Sequence, residues 1–213
     1  IGASHTHVAP GGTSGHPMVD LTTLGFRPVT FEATVAGIVL AIERADADLA
    51  PSRIALTRGT VPDAGVNRSR GAFDKNPDAD KAVFPDGVDR DSVTIHVLRD
   101  GKAIGLINWY GIHPTTFGPD HKIVSGDNKG YAAWLAEHQA GVDHTNPGAA
   151  PYVAAFAMST PGDVSPNHGL VPNSGPVEGN EYESARVLGR RQLDGVAGRA
   201  ISLPGGGIDA RHR

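Results

Sequence analysis

Residues 102–112, KAIGLINWYGI, are apolar almost throughout. A strand of that composition has to be covered on both faces, so it reads as a central strand of a sheet with helices packed against it. Asp100-Gly101 separates it from an alternating run at 91–98, and Asp-Gly between apolar runs marks a tight hairpin. Further strands are expected at 54–60 and 152–157, and a first one ending at residues 1–7. After Pro28, the residues Phe31, Val35, Ile38, Val39 and Ile42 recur at helical spacing, which predicts a helix that packs on the sheet and ends near Ala50-Pro51. A second helix opens at Ser125-Gly126-Asp127-Asn128 and continues through Tyr131, Trp134, Leu135 and His138. A third is expected over 181–200, with Ala185, Gly189, Leu193, Val196 and Ala200 on one face, stopped by the Gly-rich run 203–207 before a further strand begins at 208. The fold class is therefore α/β: a mixed central sheet flanked by helices, with long active-site loops at the C-terminal ends of strands.

Two segments lie outside this pattern. Residues 8–25 are rich in Gly, Pro, Ser and Thr and read as an extended loop, and 61–85 form a long polar stretch centred on Asn67-Arg68-Ser69-Arg70. Loops of that length are usually functional or disordered. The 213 residues suffice for one domain with a real core, so 1–213 reads as a single, partial α/β catalytic domain. A net charge of −4 with interspersed signs offers no basic surface for nucleic acid. There is no cysteine, so thiolate metal ligation and disulfides are excluded. No apolar run approaches the ~20 residues needed to span a bilayer. The chain opens without Met and inside what reads as a motif, as expected of an internal fragment; this leaves the question of a signal peptide open.

Chemistry-bearing residues gather at the ends of apolar runs, where open α/β sheets bind ligands. Ser4-His5-Thr6-His7 follows Ile1, His113 follows 104–112, and Ser165 sits in the polar turn 157–167 after the run at 152–157. If residues 4–7 are extended, His5 and His7 point to one face, roughly 6.5–7 Å apart. One could then hold a metal while the other faces the substrate; a pair of surface histidines is the plainer alternative. Imidazole suits zinc, whose catalytic sites take about three protein ligands and keep a position open. His113 caps a strongly apolar strand, where a buried imidazole needs a partner, either metal or backbone. Ser165 lacks the G-x-S-x-G elbow, so a metal or histidine would have to activate it. Arg68 could orient an oxygen through its planar fork or simply lie in solvent. Asp127 and Lys129 read as residues that cap and decorate a helix. His16, His96, His121, His138, His144, His168 and His212 are not expected to be ligands.

Five blocks, SHTHVAPGG at 4–12, NRSRGAF with NP at 67–77, INWYGIHPTT at 107–116, VSGDNKGYAA at 124–133 and VAAFAMSTPGDVSPN at 153–167, resemble the neutral ceramidases in order and spacing across essentially the whole chain. That family consists of zinc amidases that split ceramide into sphingosine and a fatty acid. The resemblance implies that His5 and His113 are zinc ligands, that His7 transfers a proton or stabilises an oxyanion, that Arg68 holds substrate, and that Ser165 is the catalytic serine. It further implies a glutamate and a tyrosine ligand and an immunoglobulin-like domain beyond residue 213, a secreted or cell-surface location, and a ceramide or related N-acyl lipid reached at a membrane or micelle surface. The isolated fragment, lacking two ligands, is expected to be inactive. Three departures stand out: Val8-Ala9 replaces Ser-Gly or Ala-Gly, Arg70 replaces Pro, and Pro114 replaces Gly, restricting His113 toward extended angles. Alternatives from other classes are a metal-dependent phosphoric or sulfuric ester hydrolase and a non-catalytic lipid-binding remnant.

Overall fold

The computed structural model describes residues 2–146 and 151–200. Its chain divides into two compact units, one of residues 9–51 and one of residues 1–8 with 52–213.

In the smaller unit a 3-10 turn at Asp20–Thr23 precedes helix α1, Pro28–Ala47. Pro28 stands at the first helical position, where its missing N–H costs nothing and its fixed φ is already helical. The loop before it is ordered by buried Asp20, whose carboxylate accepts from Ser14 N at 3.3 Å and Gly15 N at 2.9 Å. The spacing gives the expected helix, and no residue of it is buried. Phe31, Val35, Ile38, Val39 and Ile42 share one face at helical spacing and are all exposed.

The larger unit is built on a five-stranded sheet. Its strands are β1 (Arg53–Thr60), β3 (Asp91–Arg99), β4 (Lys102–Tyr110), β5 (Val153–Met158) and β7 (Arg199–Ala200), in the order β5-β4-β3-β1-β7. The pairs β1–β3, β3–β4 and β1–β7 are antiparallel and β4–β5 is parallel, which makes the sheet mixed. The β3–β4 hairpin turns at Asp100 and Gly101, both at positive φ (51° and 76°), the geometry that a two-residue turn between right-twisted strands requires. Helix α4, Asp127–Gln139, makes the crossover that a parallel pair needs between β4 and β5.

Helix α5, Glu181–Asp194, packs on α4 and starts from Asn180, whose side chain accepts from Glu183 N at 3.0 Å. Gly189 allows that packing: a Cβ there would fall 2.7 Å from Asn128 O and 2.9 Å from Ala132 N. The helix ends six residues before the expected 200, because Gly195 and Gly198 turn the chain back as β7 beside β1. A Cβ on Gly198 would lie 2.3 Å from the carbonyl of Arg58, so only glycine permits the approach. The stop and strand expected over 203–213 lie outside the described residues.

The segment 61–85 is not structureless. It contains β2 (Val66–Asn67) and two short helices, α2 (Arg70–Phe73) and α3 (Asp78–Val83). Strand β2 pairs antiparallel with β6 (Val164–Ser165), so the serine lies in a two-stranded ladder rather than in an open turn. Residues 2–7 form no strand either, although Ala3 O accepts from Met158 N at 2.9 Å at the end of β5. One core cluster joins Val61, Ala64, Val88, Tyr110, Ile112, Val164 and Leu188; a second joins Leu106, Ala132, Ala136, Ala154, Phe156 and Val196. Among the described residues, no helix is long and apolar enough to cross a membrane.

Candidate active site

The parallel pair β4–β5 delivers the site, since both chains leave the sheet at the same end. Beyond Tyr110, the loop from β4 carries His113, which is buried and fixed by the chain that follows β5. His113 N donates to Val164 O at 3.0 Å, and its ring Nδ1 lies 3.2 Å from the same oxygen. A carbonyl can only accept, so Nδ1 carries the proton and Nε2 keeps its lone pair.

The N-terminal segment brings two more imidazoles. His7 N reaches Pro114 O at 3.4 Å, Thr6 Oγ1 donates to Ser125 O at 2.7 Å, and Ser125 N donates to Val8 O at 2.9 Å. His5 has φ of 64°, in the left-handed region uncommon for residues other than glycine. The expected extended segment with its same-face pair is therefore corrected: a turn at His5, not strand alternation, brings the rings together. Their Nε2 atoms lie 3.3 Å apart. The ring centroids of His5 and His113 are 5.1 Å apart and those of His7 and His113 are 5.8 Å apart.

Arg68 enters through the β2–β6 ladder. Its N–H donates to Asp163 O at 2.8 Å, its Nη2 donates to Gly162 O at 3.1 Å, and the same Nη2 stands 3.5 Å from His113 Nε2. Asn67 braces this ladder, donating to Asp163 Oδ2 at 2.6 Å and to Gly87 O at 2.7 Å. Ser165 is buried, and its Oγ accepts from Asn167 N at 3.1 Å. Three of the sequence-selected histidines and Arg68 thus converge directly, while Ser165 is the ladder neighbour of Val164, the residue that holds His113.

The electrostatics favour the neutral form of His7 and His113. Burial lowers the pKa of His7, and the neighbouring His5 and Arg68 lower it further. Burial and the Arg68 guanidinium do the same for His113, against the hydrogen bond to Val164 that raises it. Neutral imidazoles with free lone pairs are what a metal requires. One ring nitrogen from each of His5, His7 and His113 lies within 4.8 Å of the other two, and these three are the metal-competent group among the described residues. Two nitrogens bound to one tetrahedral zinc at ~2.0–2.1 Å are about 3.3 Å apart, and the His5–His7 pair shows 3.3 Å. The residues fit an ion of this kind, with His7 in range as well as His5 and His113.

Sequence reasoning passed over the triplet Asp127-Asn128-Lys129, reading its charged members as cap and decoration. All three are buried. Asp127 turns its Oδ2 to Thr116 N at 2.9 Å and Phe117 N at 3.2 Å, in the loop after His113. Burial raises its pKa, and those hydrogen bonds pull it down. Lys129 Nζ donates to Tyr110 O at 2.7 Å and Ala157 O at 3.0 Å, tying the ends of β4 and β5. Burial lowers its pKa to about 7. A signal was available: a lysine in the first turn opposes the helix dipole, so it needs a specific partner elsewhere.

Residues 1–202 match the family model of neutral/alkaline non-lysosomal ceramidase, N-terminal. A neutral ceramidase of Mycobacterium tuberculosis is 41% identical over 99% of this chain and 33% of its own length. That of Pseudomonas aeruginosa is 39% identical over 100% of the chain and 31% of its own length. The chain thus spans about a third of the length of these curated relatives. A solved ceramidase complexed with C2 superposes with a TM-score of 0.81 at 39% identity, covering 91% of this chain and 29% of that one. The crystal structure of the neutral ceramidase from Pseudomonas aeruginosa gives 0.79 at the same identity, covering 91% and 30%. With the five sequence blocks meeting in one site and this match running over nearly every residue, the chain belongs to the neutral/alkaline non-lysosomal ceramidase family, within its N-terminal part.

Proposed function

We propose that the full-length protein hydrolyses the N-acyl bond of ceramide or a related N-acyl lipid, with zinc held by His5 and His113. The observation that carries this reading is the convergence of three imidazoles and a guanidinium at one end of the β4–β5 pair. Bound there, zinc would polarise the amide carbonyl and lower the pKa of a bound water toward ~7.

The chain's own residues supply the rest. An amide resists attack, and its carbonyl oxygen becomes negative in the transition state. Arg68, anchored through its backbone to Asp163 and through Nη2 to Gly162, presents a planar fork to that oxygen. His7, kept below its ordinary pKa, can take a proton from the attacking hydroxyl and pass it to the leaving nitrogen. The new bond joins oxygen to the acyl carbon; the bond from that carbon to nitrogen breaks, and the amine leaves with the proton. The attacking oxygen is that of water, which gives the fatty acid directly, or of Ser165, whose hydroxyl accepts from Asn167 N; in that case a water then cleaves the acyl-serine ester, releasing the fatty acid and returning the proton to the serine oxygen.

Release of fatty acid from a fluorescent ceramide by the full-length protein tests this. Chelator-sensitive release that is lost in His5→Ala and His113→Ala supports the reading, and loss in Ser165→Ala assigns the serine. Retained zinc and activity in both histidine variants would refute it, and turnover of an aryl phosphate without any N-acyl lipid would favour the ester-hydrolase alternative.

A further inference from the structure

His113 is held on both sides of its peptide unit. Val164 O takes its N–H and its ring Nδ1, as described above, and Asn128 takes its carbonyl. Asn128 Nδ2 donates to His113 O at 3.2 Å and to Thr116 Oγ1 at 3.0 Å, so one amide group spans the turn that follows the histidine. Its Oδ1 is held in turn by Gln192 Nε2 at 3.0 Å, from the last turn of α5. Asn128 and Gln192 are both 0% exposed, so each of these bonds forms away from water. Gln192 Nε2 also reaches Leu188 O at 3.3 Å, which fixes which end of its amide faces Asn128. The Asn128 amide is thereby oriented: its oxygen meets a donor on α5 and its nitrogen meets two acceptors in the His113 loop.

We propose that Asn128 is a positioning residue for His113, coupling the direction of this imidazole to the α4–α5 pair through Gln192. The proposal rests on the reading of His113 as a zinc ligand. Asn128 does not touch the ring; it fixes the main chain from which the ring projects, while Val164 fixes the rotation of the ring about that main chain. Pro114 biases His113 toward extended backbone angles, and the two holds fix its carbonyl and its ring within that range. Outer partners that orient a ligand typically contribute 10–100-fold in metal affinity.

Buried asparagines contribute to stability wherever they occur, so the test needs a matched control. Asn108, in β4, is also 0% exposed, and its Nδ2 donates to Ser92 Oγ at 2.7 Å and Thr94 Oγ1 at 2.9 Å within the sheet. Zinc affinity of the full-length protein would be measured by competition with a chromogenic chelator, together with the Tm of the metal-free form, for Asn128→Ala, Gln192→Ala and Asn108→Ala. The expected result is a zinc Kd raised about 10–100-fold in Asn128→Ala, a smaller rise in Gln192→Ala, and no rise in Asn108→Ala despite a comparable fall in Tm. Unchanged Kd in Asn128→Ala, or a rise that merely tracks the Tm loss in all three variants, overturns the positioning role. Should Asn128→Ala not fold, Gln192→Ala against Asn108→Ala decides by the same criterion. A wild-type protein that binds no zinc refutes the ligand reading itself, and the positioning role falls with it.

Discussion

Replacing Lys129 by Met tests whether a buried amine latches the two strands that carry the site. Its Nζ donates to Tyr110 O at 2.7 Å and Ala157 O at 3.0 Å, and its folded pKa lies at about 7 because burial disfavours the charge. An unfolded lysine titrates at about 10.4. Between these values the unfolded chain binds one proton more than the folded one, so stability rises with pH. A neutral amine still has two hydrogens, enough for both carbonyls, so deprotonation keeps the latch and removes the desolvation cost. Integrating the proton difference from pH 7 to pH 9 gives a gain of about 2 kcal/mol for the wild type that the variant cannot show. Met matches the chain in size but leaves Ala157 O without this donor, and a buried carbonyl so abandoned costs about 1–3 kcal/mol. Tyr110 O retains Ser159 N at 3.4 Å, so its loss is smaller. Urea midpoints of the two proteins, compared at pH 7 and pH 9, should show the wild type gaining about 2 kcal/mol relative to Lys129→Met over that interval. A gap independent of pH, or a lysine NMR titration near its ordinary value, would refute the buried-amine argument.

Gly189→Ala should destabilise the protein by about 1–3 kcal/mol, since its Cβ would meet Asn128 O at 2.7 Å and Tyr131 Cδ1 at 2.8 Å. Because the backbone it displaces belongs to Asn128, the zinc Kd should rise as well, which chelator competition would show; a purely thermal effect would count against the coupling. Arg68→Ala is expected to lower kcat by about 10²–10³-fold on a fluorescent ceramide if the guanidinium serves the developing oxyanion. Arg68→Lys should recover little of that, because a point charge does not reproduce the fork, and full recovery would reduce Arg68 to a general source of positive charge.

Local chemistry carried much of this protein in plain view. Asp100-Gly101 specified its hairpin because only a few residues accept positive φ at both turn positions, and the apolar run before His113 declared an interior strand, although Ile107 on it is exposed rather than covered. The five blocks named the residues that meet, His5, His7, His113 and Arg68, and Ser165 beside the residue that holds His113. How they meet was a matter of tertiary structure. Strand alternation gave the wrong reason for the His5–His7 pair, which depends on a left-handed turn at His5 held by contacts more than a hundred residues away. The ladder that sets Arg68 beside His113 pairs two-residue strands too short to leave any period in a sequence. Asp127 and Lys129 look like surface decoration because charge ordinarily seeks water; only the fold supplies the amides and carbonyls that make their burial tolerable. The length of α5 and the closeness of α4 to it were likewise decided by glycines whose missing Cβ matters only against a neighbour. Spacing along a chain reports which side chains share a face, whereas the partners that satisfy a buried polar group come from elsewhere in the molecule.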